Sequence, residues 1–179
     1  CRSKNIYFHA YINHDMFAEK EECPTPLYWI ENTQVPEEYR INIRVVPDFK
    51  DIVNKNTQGV SKFLMVSKDP QQLFEVRSLL EKIDTVNVMC STDDNIEVVN
   101  KNVGKGNALT FVSNMDEYNG YGIVAIGDSE NDLSMLLESH YKIVMGNADE
   151  SLKKIADFIS PANDESGVAI AIEQVLKLI

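Results

Sequence analysis

The stretch Tyr121-Gly122-Ile123-Val124-Ala125-Ile126-Gly127-Asp128-Ser129-Glu130-Asn131-Asp132 decides how this chain is read. Ile123 to Ile126 is an apolar run short enough for a buried strand, and Leu133, Leu136 and Leu137 resume at helical spacing. The polar residues between them form a tight turn from strand to helix. Two carboxylates and an amide therefore sit at a strand's carboxyl end, against a helix N-terminus. In an open α/β sheet that is where ligands bind, and the helix end favours anions. Paired Asp residues there suit a hard cation such as Mg2+ held against a phosphate.

Outward from this turn, helices and strands alternate. Lys105 to Met115 reads as a helix, with Ala108, Leu109, Val112 and Met115 on one face. After the central strand and a helix over about 130–140, Ile143-Val144-Met145-Gly146 is a second short strand. Asn147 is placed to cap the next helix, with Glu150 at capping-box spacing. Phe158-Ile159-Ser160 is a third strand, and Val168, Ala171, Ile172, Val175 and Leu176 form the apolar stripe of a last helix. The expected fold class is α/β: over 101–179, half of a Rossmann-like parallel sheet with helices on both faces.

Residues 1–100 read as a separate α+β module, bounded by the polar Asn100-Lys101-Asn102. Ile6, Phe8, Ala10 and Ile12 alternate with Tyr7, His9 and Tyr11, which predicts a hairpin over 5–20 with one buried face and His9 on the outer one. Pro24, Pro26 and Pro36 make 21–46 irregular. Asp48 caps a short helix to Lys55, and Lys62 to Val66 is a strand. Asp69-Pro70 opens a helix carrying Leu73, Val76, Leu80 and Ile83, and strands follow at 86–89 and 96–99.

Composition narrows the function. The net charge of −11, with no Lys/Arg cluster, argues against nucleic acid. No apolar run approaches the roughly 20 residues of a membrane helix, and the first residues form no signal peptide. The sequence reads as a soluble, cytoplasmic protein. Cys1, Cys23 and Cys90 lack metal-ligand spacing and read as reduced thiols, while His9, His14 and His140 receive no role. Trp29 and the tyrosines read as packing residues. With no initiator Met, the chain is expected to be processed or to be a piece of a longer protein.

Each candidate site residue has a plain structural reading beside the chemical one. Asp128 either caps the following helix or, at the end of a buried strand, needs a cation. Asp132 gains from the helix dipole by ~0.3–1 kcal/mol, yet Asp128, Glu130 and Asp132 crowd one turn, and a divalent cation would relieve their repulsion. Glu130 reads as a solvated first-turn acid. Asn131 either faces water or donates to a phosphate oxygen without adding charge. Lys105, flanked by Gly104 and Gly106 where a helix begins, stands against the dipole. That position points to a charge aimed at phosphate, with glycines letting the backbone approach a ligand.

These segments together resemble the C-terminal part of the Cof-like phosphatases of the haloacid dehalogenase superfamily. The resemblance runs through Val103-Gly104-Lys105-Gly106-Asn107-Ala108-Leu109, Gly127-Asp128-Ser129-Glu130-Asn131-Asp132, Val144-Met145-Gly146-Asn147-Ala148 and Asn163-Asp164-Glu165-Ser166-Gly167-Val168-Ala169. Residues 1–100 resemble that family's specificity-determining cap more loosely. The resemblance implies a Mg2+-dependent phosphomonoesterase acting on small phosphorylated metabolites through an aspartyl-phosphate. By matching position, Asp128 is a Mg2+ ligand and Lys105 neutralises phosphoryl charge. Asn131 binds the substrate phosphate, and Asp132 supports the metal site through water or from behind the ligands.

The family's Asp-x-Asp-Gly-Thr motif, which brings the nucleophile, is absent from the 179 residues. The chain is therefore expected to be a cap plus the second half of a core, inactive alone, with the motif on a missing N-terminal segment. The competing reading is a non-catalytic phospholigand-binding or regulatory protein of the same fold. A receiver-like or nucleotide-binding Rossmann domain fits less well, because no Gly-x-Gly-x-x-Gly occurs.

Overall fold

The computed structural model describes residues 1–21, 23, 32–55 and 59–178, which form two compact units, Cys1–Lys101 and Asn102–Ile179. Trp29, Pro24 and Pro26 lie outside the described residues.

In the first unit, β1 (Tyr7–Ile12), β2 (Asp15–Ala18), β3 (Asn42–Val45), β4 (Lys62–Val66), β5 (Val86–Met89) and β6 (Asn95–Asn100) form one sheet in the order β3-β2-β1-β4-β6-β5. Pairing is antiparallel except between β2 and β3. The helices α1 (Phe49–Lys55) and α2 (Pro70–Leu80) supply the apolar side chains that cover one face. Each starts where its acid dictates. The Asp48 carboxylate accepts the Lys50 N–H at 2.9 Å, and Asp69 accepts the Gln71 N–H at 2.9 Å ahead of Pro70.

Two expectations are corrected here. The segment 21–46 is not wholly irregular, since Asn42–Val45 is a strand held by parallel pairing to β2. The hairpin does not have a single buried face. Phe8, Ala10 and Ile12 pack with the helices, while Tyr7 joins Ala18, Cys23, Leu64 and Val66 in a cluster on the opposite face. His9 is buried between Ala18 and Leu64 rather than outward. The reason is packing on both sides: the face away from the helices carries its own apolar cluster, which Cys23 joins from outside the sheet.

In the second unit, β7 (Val124–Gly127), β8 (Tyr141–Val144) and β9 (Phe158–Ile159) form a parallel sheet in that order. Around it lie α3 (Lys105–Ser113), α4 (Leu133–Glu138), α5 (Glu150–Lys153) and α6 (Gly167–Leu176). Ala125, Val144, Leu136, Ala148 and Leu152 form a core on one face, while Ile143, pointing the other way, is fully buried too. The expected apolar stripes are only partly covered. Of α6, Ala171 is buried but Val168, Ile172 and Leu176 are exposed, and on α3 Val112 is exposed. A three-stranded sheet offers too little area to cover them. Among the described residues β7 pairs with β8 alone, leaving a sheet edge. No described helix is long and apolar enough to cross a membrane.

Burial first, and Lys62 second, push the His9 imidazole from 6.5 down to about 4. As pH falls from 6.5, the unfolded chain takes up a proton that the folded one refuses. Stability is therefore full above pH 6.5 and drops towards pH 4, by on the order of 3 kcal/mol. Urea unfolding followed by far-ultraviolet circular dichroism should show this loss in the wild type and not in His9→Leu. Equal acid sensitivity in both would rule out His9 as the cause.

Candidate active site

The candidate site is built on the turn after β7. Gly127 ends the strand, and a side chain there would place its Cβ 2.5 Å from the Asp132 Cβ. Only glycine lets Asp132 fold back beneath the strand end. The Asp132 carboxylate then accepts the backbone N–H groups of Asp128 and Ser129 on Oδ2, at 3.0 and 3.2 Å. Its Oδ1 pairs with the Lys105 ammonium. Residues 130–132 form a 3-10 turn that runs directly into α4, so the expected helix begins tighter than an α-helix.

Lys105 starts α3, and α3 lies close against α4. The Gly106 N–H donates to Ser134 Oγ at 3.1 Å, and a Cβ at Gly106 would stand 2.7 Å from the Ser134 carbonyl oxygen. Gly106 thus serves helix–helix approach rather than approach to a ligand. Gly104 has φ 174°, extended backbone that any residue adopts. Across this contact Lys105 Nζ reaches both Asp132 and Asn131 Oδ1, the latter at 3.2 Å. The ion pair supplies a structural reason for a cation at a helix N-terminus. It also orients Asn131, because with Oδ1 taken the amide's N–H donors face other acceptors.

Burial alone would raise the Asp132 carboxyl, whose side chain is 7% exposed. The Lys105 hydrogen bond and the Asp128 and Ser129 N–H groups outweigh it and hold the pKa below the usual carboxylate value. Lys105 itself is half exposed, 49% for the side chain, so it stays open to solvent and ligand.

Asp128 stands beside this hub with different partners. Its Oδ1 accepts Ser129 Oγ at 3.1 Å and its Oδ2 accepts Asn147 Nδ2 at 3.0 Å. Among the described residues no cation pairs with it. A carboxylate with neutral donors on both oxygens and no counter-charge fits a hard divalent cation. No group of three or more His, Cys, Asp or Glu side chains able to hold a metal occurs among the described residues. Asp128 would thus give one ligand, with water or groups beyond these residues completing the shell. Glu130 is exposed.

Sequence reasoning missed Asn147, Ser134 and Asn163. Asn147 does not cap α5, whose N-cap is Asp149. Parallel pairing sets Gly127 opposite Val144, so the loops after β7 and β8 emerge side by side. That adjacency was the available signal for Asn147.

The parallel α/β unit thus gathers a cation, an amide and two carboxylates at one strand end. The sequence profile of the haloacid dehalogenase-like hydrolases matches residues 1–172, and the chain belongs to that family. It is 29% identical to the 5-amino-6-(5-phospho-D-ribitylamino)uracil phosphatase YwtE of Bacillus subtilis, over 97% of this chain and 66% of that protein. It is 31% identical to a phosphoglycolate phosphatase of Methanobrevibacter smithii, over 70% of this chain and 53% of that one. A solved structure from Thermotoga maritima superposes with TM-score 0.68 at 30% identity, over 97% of this chain and 62% of that one. The chain thus spans about two thirds or less of the relatives it matches.

In the wild type, the Asp132 contribution to stability is present above about pH 3.9, the unfolded value, and is lost as pH falls through the lower folded value. In Lys105→Met the buried carboxylate keeps two N–H donors and no cation, so its titration should move up. A carboxyl 13C NMR titration of both proteins checks this, and an unmoved midpoint would remove the ion pair as the cause. Asp132→Asn, which keeps an amide oxygen for the two N–H groups and gives up the charged bond to Lys105, should cost about 1.5–3 kcal/mol in urea unfolding at neutral pH.

Proposed function

We propose that the second unit forms the phosphate- and cation-binding half of a Mg2+-dependent phosphomonoesterase for small phosphorylated metabolites. The carrying observation is the convergence of Asp128, Asn131, Lys105 and Asp132 on one strand-end turn. The relatives' activities, one on a phosphoribitylamino-uracil and one on phosphoglycolate, favour a phosphate monoester over other ligands.

In this reading Lys105 and Asn131 bind and orient the phosphoryl oxygens, the first by charge and the second by hydrogen bonds. Asp132 holds Lys105 and the Asp128 backbone in place. Asp128 would hold Mg2+, which when bound neutralises phosphoryl charge. Phosphoryl transfer depends mainly on such positioning and electrostatics. The attacking Asp, which forms the aspartyl-phosphate that water then hydrolyses, comes from polypeptide outside these 179 residues. Residues 1–100 act as the cap that selects the rest of the substrate. The absence of Asp-x-Asp-Gly-Thr favours one second reading, a non-catalytic phospholigand-binding protein.

The chain alone, with Mg2+, should release no phosphate from p-nitrophenyl phosphate. A polypeptide joining an Asp-x-Asp-Gly-Thr segment to it should do so. In that polypeptide Asp128→Ala and Lys105→Ala should each lower kcat/KM by on the order of a hundredfold or more. Turnover by the chain alone would defeat the external nucleophile. Variants as active as the parent would defeat the site.

A further inference from the structure

The Asn147 amide spans two loops. Its Nδ2 donates to Asp128 Oδ2 at 3.0 Å, and its Oδ1 accepts the Asn163 backbone N–H at 3.0 Å. A carboxylate only accepts and a backbone N–H only donates, so a side chain bridging them must donate at one end and accept at the other. An amide does both without charge, and these partners fix which way round it lies. The outer torsion of an Asp side chain is broad and nearly two-fold. Here Ser129 Oγ holds one oxygen and Asn147 the other, which fixes the carboxylate plane while leaving its full negative charge.

Resting on the reading of Asp128 as a metal ligand, we propose that Asn147 is its positioning residue, itself locked by the Asn163 N–H. With its two ends taken by Asp128 and the Asn163 N–H, Asn147 would act on the metal through Asp128. Partners that orient ligating groups in this way typically carry ~10–100-fold in metal affinity.

The geometry offers a variant that removes the lock alone. Asn163 opens the 3-10 turn Asn163–Glu165, and Ala162 before it already has φ −66° and ψ 167°. That is the conformation a following proline requires, and proline is at home in a first helical position. Asn163→Pro therefore deletes the N–H that Asn147 accepts while keeping the turn.

The test uses the full 179-residue chain in 15N NMR. Without metal, the Asn147 side-chain amide should have an order parameter near that of rigid backbone, about 0.85, falling below about 0.6 in Asn163→Pro. With Mn2+, the concentration that half-broadens the Asp128 and Ser129 amides should rise about tenfold or more in Asn147→Ala and in Asn163→Pro. The double variant should lose no more than either single one. A mobile amide in the wild type, or single variants that bind Mn2+ like the wild type, would overturn the proposal. Failure of the wild-type chain to show broadening localised at Asp128 overturns the metal reading instead, while the order parameter decides the bridge by itself.

Discussion

The site depends on one buried carboxylate. Asp132 gathers two backbone N–H groups of the β7 turn on one oxygen and the Lys105 ammonium on the other. Hydrogen bonds to charged groups are worth about 1.5–3 kcal/mol each, enough together to outweigh the burial of one carboxylate. Through them Asp132 sets the path of the backbone at Asp128 and the reach of Lys105 from another helix. It lies behind the groups that face solvent and determines where they stand.

Two close approaches make that hub possible, and both need glycine for lack of space rather than for unusual dihedrals. Gly127 leaves room for Asp132 under the strand end, and Gly106 lets α3 settle against Ser134 of α4. A methyl group at either position would collide at 2.5–2.7 Å. The same α3–α4 contact is what carries Lys105 to its partner. The placement of α3 answers to the polar site, since Gly106 is its one buried residue and Val112 is exposed, while α4 is anchored in the core by Leu136.

What was legible in the sequence was local. The apolar run before Gly127, the Asp48 and Asp69 caps and the alternation of short strands with helices all announce themselves within a few residues. What was missed depends on partners distant in sequence. Asn42–Val45 is a short, largely exposed edge strand defined by parallel pairing with β2, which leaves no local trace. Tyr7 and His9 have polar tips and read as a polar face, yet the second face of the sheet carries an apolar cluster that buries their ring bodies. Gly106 and Asn147 were each assigned a nearby purpose, ligand approach and helix cap. Their partners Ser134, Asp128 and Asn163 lie 28, 19 and 16 residues away.

The polarity of the site follows from how Lys105 is used. Asp128, Glu130 and Asp132 bring three formal negative charges to the turn, and Lys105 returns one positive charge. Much of that positive charge is engaged by Asp132, whose carboxyl it holds in the ionised form. Counting the formal charges of these four side chains alone, a phosphate approaching this turn would meet two negative charges, on a chain that is itself −11. Two unit charges of like sign 4 Å apart repel by about 4 kcal/mol at an effective dielectric of 20. Asn131 and the remaining Lys105 donor can orient an anion but do not offset that repulsion. A divalent cation at Asp128 would bring these four side chains to formal neutrality. On this charge balance, a phosphate reading of the site and a metal on Asp128 stand or fall together.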